Sequence, residues 1–300
     1  MSFVQRKITA VITLANGQFG NGANSKTVSA SDGVDTNAPW ISCHINNAGG
    51  AFGSQAQITI YGMSLSDMLQ LSTIGSQMGL MNRQNHITIS AGDDVTGMPL
   101  VFSGNIFFAF VDGQDQKNMC LRITAVPGGA ADAQTVNSYS LPVSGDVTGM
   151  LSNLAAQGNF SFEPNNVTGL QISTPYLWGS VGTQIKQVVQ AAGIEHIIDR
   201  NNLAVWKPGT ARGLSVVTLG PNTDPVMIGY PAFNQAAVIC KSVFNAQIQN
   251  GGTLALQTSL KPAVGNWAIV STQHQIDANM SGGKWETHIQ ASGFKAGTTP

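Results

Sequence analysis

Short stretches of alternating apolar and polar residues, separated by glycine and asparagine, dominate both ends of this chain. Toward the N-terminus they include RKITAVIT, WISCHIN, AQITIYG and HITISAG, and toward the C-terminus AVICKSV, NWAIVSTQHQIDA and KWETHIQ. A period of two places successive side chains on opposite faces of a strand. Short strands at fairly even spacing, with turn residues between them, indicate antiparallel β-sandwiches or barrels.

The middle of the chain follows a helical period instead. In DVTGMLSNLAAQGN, Asp146 is placed to cap a helix that Gly158 ends, and Gly193 ends a second helix in YLWGSVGTQIKQVVQAAGI. EHIIDRNNLAVWKPG is a predicted hairpin with its turn at Asn201 and Asn202. This part of the sequence therefore predicts an α+β module.

The predicted fold class is mainly β, with two antiparallel β-barrels joined by a helix-containing module. The predicted domains are residues 1–127 for the first barrel, 128–212 for the α+β module and 213–300 for the second barrel. A chain of 300 residues is long enough to build a core for each of them.

The segment ITIYGMSLSDMLQLSTIG joins a strand period to a helical period. Leu65, Met68 and Leu69 fall on one helical face. Ser64 and Asp67 have the spacing of a capping box, in which Asp67 reaches back to the Ser64 backbone. This pattern indicates packing rather than a reactive site.

Charged residues make up only 10% of the chain, and 14 basic against 15 acidic side chains leave a net charge of −1. A surface with so little charge favours association and exerts no global attraction on nucleic acid or an anionic membrane. We expect Cys43, Cys120 and Cys240 to be buried free thiols in a reducing compartment. No run has the length and hydrophobicity of a membrane helix, and MSFVQRKITAVITLANG does not resemble a signal peptide.

A search for catalytic chemistry finds little. Glu163, Glu195 and Glu286 stand in no motif with a second acid, and no phosphate loop, nucleophile elbow or zinc spacing is present. Glu286 is expected to be an exposed strand residue. We therefore predict no enzymatic activity and assign no catalytic, cofactor-binding or metal-binding residues.

The histidines leave one alternative open. His274 and His288 lie on the predicted last hairpin, where with Asp277 they could bind a metal. The favoured interpretation is a pair of strand residues that face solvent or another subunit. Cys43 and His44 are adjacent in a strand and point to opposite faces, which is a poor geometry for a nucleophile and its base.

Three stretches resemble the baseplate hub proteins of contractile-tailed bacteriophages. ITIYGMSLSDMLQLSTIG with ITISAGDD, PLVFSGNIFFAFVD and CLRITAVPG is similar to the first barrel of that family. DVTGMLSNLAAQGNFSFEPNN with TPYLWGSVGTQIKQVVQAAGI is similar to its helical module. MIGYPAFNQAAVICKSVFNAQIQNGGTLALQTSL with GNWAIVSTQHQIDANMSGGKWETHIQASG is similar to its second barrel.

The resemblance implies two tail-tube-like barrels per chain and a homotrimer whose six barrels join a six-fold tail tube to a three-fold spike. Implied partners are the tail-tube protein, other baseplate proteins, the central spike protein and phage DNA, which passes through the lumen without specific binding; no membrane and no cofactor are implied. The implied location is the virion baseplate, after synthesis in the bacterial cytoplasm. Leu65, Met68 and Leu69, with Leu71 as a further candidate, would then pack on barrel residues such as Ile58 and Ile60, and Trp178, Ile185 and Val189 would brace the module.

Other functions remain open at this stage. The chain could be a tail-tube or distal-tail ring subunit, although a simple tube subunit needs only one barrel. It could be a tail-associated cell-wall hydrolase, although no acid pair stands out. A carbohydrate-binding β protein would use exposed tryptophans, for which the candidates are Trp40, Trp178, Trp206, Trp267 and Trp285.

Overall fold

The computed structural model describes residues 5–33, 38–48, 53–72, 84–114, 119–141, 143–234 and 237–293. The strands of the first part are β1 Arg6–Thr13, β2 Ser25–Ser31, β3 Trp40–Ala48, β4 Ser54–Tyr61, β5 His86–Asp93, β6 Leu100–Asp112 and β7 Cys120–Val126. Helix α1, Leu65–Leu71, follows β4.

The middle part contains the longer helices. Its helices are α2 Gly129–Ala133, α3 Val147–Gln157 and α4 Val181–Ala192. Its strands are β8 Tyr139–Ser140, β9 Gly145–Asp146, β10 Ser161–Glu163, β11 Gln171–Ile172, β12 Tyr176–Leu177, β13 Glu195–Asp199 and β14 Asn202–Trp206.

The last part returns to strands. They are β15 Val217–Leu219, β16 Ala232–Phe233, β17 Ala237–Val243, β18 Thr253–Leu256, β19 Gly265–Ala278 and β20 Trp285–Ser292. A 3-10 turn, Lys261–Ala263, precedes β19. The expected mainly β composition, with a helix-containing segment in the middle, is thereby confirmed.

The two β parts share a sheet instead of forming separate ones. Within the described residues, thirteen strands join, and the main path runs β16-β17-β20-β19-β3-β4-β7-β6-β5-β1-β2. The long strand β19 makes the connection, because Gly265–Ala268 pairs with β18 while Ser271–Ala278 pairs with β3. The sequence could not show this pairing, since β3 and β19 lie more than 200 residues apart.

The buried apolar side chains nevertheless form distinct cores. One core lies mainly in the first part and includes Ile8, Ile12, Ile45, Ile58 and Phe102, with Phe244, Ile276 and Trp285 contributed by the last part. A second lies in the module and includes Val147, Leu151, Val181, Ile185 and Val189. A third lies in the last part and includes Leu219, Ile248, Leu254, Ile269 and Ile289. We refer to these as the first core, the module core and the last core.

Helix α1 begins where predicted but buries a different face. Met68 and Leu71 are buried, whereas Leu65 and Leu69 are 47% and 58% exposed. The Ser64 hydroxyl accepts a hydrogen bond from the Asp67 backbone N–H, as in a capping box. The Asp67 carboxylate does not return to the Ser64 backbone, because it is held elsewhere in the first part.

That carboxylate joins α1 to the loop between β1 and β2. Asp67 is buried, and its oxygens accept hydrogen bonds from Lys26 Nζ at 2.8 Å and from the Gly20 backbone N–H at 3.1 Å. These bonds, with that from Ser64, lower the pKa of Asp67 against the opposing effect of burial. The glycine-rich loop therefore folds as a hairpin connection anchored on the helix.

The module helices end where the sequence predicted. Asp146 Oδ2 accepts a hydrogen bond from the Gly149 N–H at 2.7 Å, and Gly158 follows the last residue of α3. Gly193 ends α4 in the left-handed conformation. The hairpin between β13 and β14 turns at Arg200 and Asn201, one residue earlier than predicted, and both have positive φ.

Candidate assembly surfaces and the junction between the parts

Glu163, one of the three glutamates that stand in no motif with a second acid, forms a structural ion pair. On β10 it faces Arg212, whose Nε donates to Oε1 at 3.0 Å and whose Nη2 donates to Oε2 at 2.7 Å. Asn165 and Asn202 donate to the same carboxylate, each at 2.7 Å. Burial alone would raise the pKa of Glu163, but these donors, led by Arg212, lower it.

Arg212 continues this contact into both β parts. Its Nη1 donates to the Asn250 carbonyl at 3.1 Å, and Asn250 Nδ2 donates to the carbonyls of Val270 at 2.7 Å and Asn47 at 3.3 Å. Gly251 allows the close approach, since a Cβ there would lie 2.6 Å from Arg212 Cδ. We call this chain of contacts from Glu163 to Asn47 the latch, because it joins all three parts at one place.

Arg200, at the tip of the module hairpin, forms a second link. Its Nη2 donates to the Ala246 carbonyl in the last part at 2.9 Å, and its Nε donates to the Val101 carbonyl of β6 at 3.3 Å. Asp199 lies beside it, with 3.6 Å between Arg200 Nε and Asp199 Oδ2. Burial raises the pKa of the Asp199 carboxyl. The module hairpin therefore bridges the two β parts through one side chain.

Two residues of the last hairpin, His274 and Glu286, do not lie as predicted, whereas His288 is half-buried. His274 is fully buried, and its Nδ1 lies 2.9 Å from Thr287 Oγ1. Glu286 is also buried; it forms an ion pair with Lys241, and its Oε1 lies 3.1 Å from His288 Nε2. Both predictions of exposure were wrong, because β17 and β20 place neighbouring side chains over these positions. Burial first, and then the nearby Arg200, lower the pKa of His274 to about 3.

The described residues contain no group of three or more His, Cys, Asp and Glu side chains arranged to hold a metal ion. As predicted, Cys43, Cys120 and Cys240 are buried free thiols, and Cys43 points into the core while His44 is half-buried on the other face. Burial raises the pKa of Cys240 to about 12, so this thiol is unreactive at neutral pH.

On the central strands of the shared sheet, the face that points away from the cores is mostly polar and carries one charged side chain, that of Asp277; we call it the outer face. On β4, β3 and β19 its exposed and half-buried side chains include the polar Ser42, His44, Asn46, Gln55, Gln57, Thr59, Ser271, Gln273 and Gln275, the aromatic Trp40 and Tyr61, and Asp277. The cations nearby have partners: Arg122 Nε binds Asp112 Oδ2 at 2.7 Å, and Lys284 Nζ donates to Gln275 Oε1 at 2.8 Å. The outer face therefore carries hydrogen-bonding groups with little net charge.

Apolar side chains are exposed at the β16 end of the sheet. Tyr230 is 72% exposed, and it belongs to a group of exposed apolar residues comprising Val226, Ile228, Tyr230, Phe233, Ile239 and Val243. A group of this kind is typical of a surface that another protein covers. The sequence offered no signal for it, because isolated apolar residues in short strands look the same whether they face inward or outward.

A second aromatic surface lies on the module. Trp178, which was expected to brace the module, is 56% exposed, and Tyr176 beside it is 66% exposed. Gln187 fixes the backbone there, because its Oε1 accepts from the Trp178 N–H at 3.1 Å and its Nε2 donates to the Trp178 carbonyl at 3.3 Å. Ile185 and Val189 are buried in the module core, as predicted.

Clefts lie where the three parts meet. One of about 440 Å³ separates the first part from α4 and β13, and another of about 610 Å³ separates α4 and β13 from β19. A third, of about 1440 Å³, separates the two β parts and is lined by Arg200, Phe244 and Trp285. None of the described helices is long and apolar enough to cross a membrane.

The chain thus combines a shared sheet with a helical module between two β parts, and it exposes surfaces suited to assembly. A family model described as Baseplate hub gp41 matches residues 29–281. The chain belongs to this baseplate hub family. The match covers the whole module and most of both β parts, and it confirms the resemblance that the sequence motifs indicated. The comparison with curated protein sequences finds no match.

Solved structures with a similar fold include tail proteins and a secretion-system component. The tail protein from Neisseria meningitidis MC58 and the 43 kDa tail protein of prophage MuSo2 from Shewanella oneidensis each have a TM-score of 0.58 and 8% identity, with 95% of this chain and 96% of the other covered. The E. coli c3393 protein, described as a type VI secretion component, has a TM-score of 0.52 and 13% identity, covering 87% of this chain and 74% of its own. At sequence identities this low, the similarity between these proteins and the chain is a similarity of fold.

Proposed function

We propose that this baseplate hub chain forms a homotrimer that joins a six-fold tail tube to a three-fold spike. The observation that carries the proposal is the presence of two separate β cores on one sheet within a single chain. Three chains would then supply six β units, one for each subunit position of a six-fold tube. Closed rotational symmetry would end the assembly at a ring.

In this proposal, each β part is a tail-tube-like barrel. In the last part, the Ile228 N–H donates to the Lys241 carbonyl, and the Met227 N–H donates to the Gly220 carbonyl, which supports closure between β17 and β15. The domain boundaries remain those expected from the sequence, 1–127, 128–212 and 213–300. The apolar residues at the β16 end would be covered by the neighbouring subunit or by the tail-tube protein.

The outer face is suited to line a channel for DNA. Each Lys or Arg that neutralises a phosphate strengthens DNA binding, and an uncharged polar surface does not retain the duplex. We therefore place this face toward the lumen, and the module with its exposed Tyr176 and Trp178 toward neighbouring baseplate proteins or the spike. The protein would act in the virion of a contractile-tailed phage, after synthesis in the host cytoplasm, without a catalytic step, a cofactor or a membrane contact.

Electron cryomicroscopy of the assembled tail end tests the stoichiometry. The proposal predicts three copies around the axis, between tube and spike. Six copies would instead identify a tube or distal-tail ring subunit, and a single copy on the outer rim would refute both. Peptidoglycan hydrolysis that Glu163→Gln abolishes, with the fold preserved, would overturn the non-enzymatic role.

A charge substitution tests the channel assignment. Gln57 and Gln275 flank His44 in one cross-strand row of the outer face. Particles carrying Gln57→Lys with Gln275→Lys should eject DNA more slowly than wild type, most clearly at low salt. The control is Gln190→Lys on the exposed side of α4. Equal ejection rates for both variants and wild type would show that the outer face does not line the channel.

A further inference from the structure

A stripe of polar side chains crosses the inner face of the shared sheet. Cross-strand pairs connect Ser54 to Asn47, Asn47 to Thr272, His274 to Thr287, and Thr287 to Ser242, while Thr272 and His274 are two residues apart on the same face of β19. The stripe therefore runs without interruption over β4, β3, β19, β20 and β17. Its members are Ser54, Asn47, Thr272, His274, Thr287 and Ser242.

The stripe follows the boundary between the two β cores. On one side of it, Ile276 and Trp285 form a cross-strand pair in the first core. On the other side, Ile269 and Ala291 form a pair in the last core. The inner face of one sheet is thus apolar, then polar, then apolar again along β19.

Most polar side-chain atoms of the stripe are buried and have no hydrogen-bond partner in the described part of the protein. Among the described residues, the buried side-chain atoms without a hydrogen bond are Asn47 Oδ1, Ser54 Oγ, Asp199 Oδ1, Ser242 Oγ, Thr272 Oγ1 and His274 Nε2. Five of these six belong to the stripe. A buried polar group without a partner costs roughly 1–3 kcal/mol, so five on one face would be a heavy penalty. Buried groups of this kind are normally satisfied by ordered water.

The latch and the Arg200 link lie over the same region. Asn250 reaches the Asn47 and Val270 carbonyls, and Arg200 is close enough to His274 to affect its ionisation. The 440 Å³ cleft is lined by Ser54 at one end of the stripe, and the 1440 Å³ cleft is lined by Arg200. Water can therefore reach the stripe at Ser54, where the stripe borders the 440 Å³ cleft.

We propose that the stripe binds a row of ordered water molecules between the shared sheet and the latch. The unpartnered atoms of the stripe are amide, hydroxyl and imidazole groups, which water satisfies by donating and accepting at once. The two β parts would then meet across a hydrated seam, while the backbone of β19 remains continuous through it. This inference rests on the stripe alone and does not depend on the proposed trimer.

A crystal structure of the full chain at high resolution tests the site directly. Water density is expected at hydrogen-bond distance, about 2.7–3.2 Å, from Thr272 Oγ1 and His274 Nε2. The proposal is overturned if these two atoms contact only carbon atoms or are bonded directly to protein groups.

Thermal unfolding of Thr272→Val gives a second, independent test. Valine keeps the shape but removes one partner from the water, so the Tm should fall by about 2 °C. If the Thr272 hydroxyl were buried without water or any other partner, its removal should raise the Tm. An unchanged or raised Tm would therefore reject the hydrated site. Thr59→Val, a half-buried change on the outer face of β4, is the matched control and should leave the Tm within about 1 °C of wild type.

Discussion

Replacing Arg212 with methionine should destabilise the protein by about 3 kcal/mol, because it removes the cation at the centre of the latch. Methionine preserves the length and much of the apolar volume of the side chain. The lost contacts are the two hydrogen bonds to Glu163 and the one to the Asn250 carbonyl. The effect is therefore electrostatic and hydrogen-bonding in origin, with little change in packing.

The magnitude follows from the burial of the two partners. The Arg212 side chain is 3% exposed and that of Glu163 is 28% exposed. Removing one partner of a fully buried pair costs about 3–5 kcal/mol. Glu163 keeps some solvent and the amides of Asn165 and Asn202, so the lower end of that range applies.

The assay is urea unfolding of the wild type and of Arg212→Met, Glu163→Gln and the double variant, at pH 7 and at lower pH. The folded pKa of Glu163 is depressed, so the pair stabilises the protein above the ordinary value of 4.5 and loses this contribution as the pH falls through the folded pKa. The difference between wild type and Arg212→Met should therefore narrow in acid. The double variant should be less destabilised than the sum of the single changes.

Lys186→Met is the matched control for this experiment. Lys186 and Asp132 lie 3.6 Å apart with side chains 59% and 46% exposed, so the same substitution should cost no more than about 1 kcal/mol. If Arg212→Met costs no more than Lys186→Met, or if the effects of Arg212→Met and Glu163→Gln are additive, the latch does not hold the parts together.

Three further predictions concern the first part and the thiols. Asp67→Asn should lower the free energy of unfolding by about 1–3 kcal/mol at pH 7, because it removes the ion pair with Lys26. The difference between wild type and variant should be smaller in acid, because the pKa of Asp67 is depressed in the folded protein. Urea unfolding at both pH values measures the two differences. Leu71→Ala should cost about 2–5 kcal/mol, and Leu69→Ala less than about 0.5 kcal/mol in the same assay, since only Leu71 is buried; equal costs would contradict the observed face of α1. The three buried cysteines should react with a thiol reagent only in denaturant, and rapid labelling of the native protein would contradict their burial.

Local structure was largely predictable, because the alternating and helical periods act within a few residues. The strands around Ile58 and Ile60, the caps at Asp146 and Gly193, and the apolar positions Ile185 and Val189 all lie as the periods indicate. The face of a short helix was harder to predict. Helix α1 has only seven residues, and Leu65, Met68, Leu69 and Leu71 satisfy more than one apolar stripe.

Long-range contacts were not predictable from these patterns. Glu163, Arg200 and Arg212 carry no motif, and their roles depend on the module lying against both β parts. The pairing of β3 with β19 depends in turn on the register between two distant strands. The side chains of His274 and Glu286 lie on opposite faces of the sheet, and the sequences of their strands contain no signal for burial. Both are buried because of side chains that pack against them in the folded protein.

The shared strand β19 shows how one sheet can support two cores. Backbone hydrogen bonds to β3 and β20 continue along Ser271–Ala278, so the sheet itself gives no point of separation. Thr272 and His274 interrupt the apolar inner face where a single core would otherwise fuse the two β parts. On the module side, Arg200 and the latch connect the module to the last part near this polar region. The two β parts are thus connected by β19 on one side of the seam and by Arg200 and Arg212 on the other, an arrangement that would suit the proposed role between a six-fold tube and a three-fold spike.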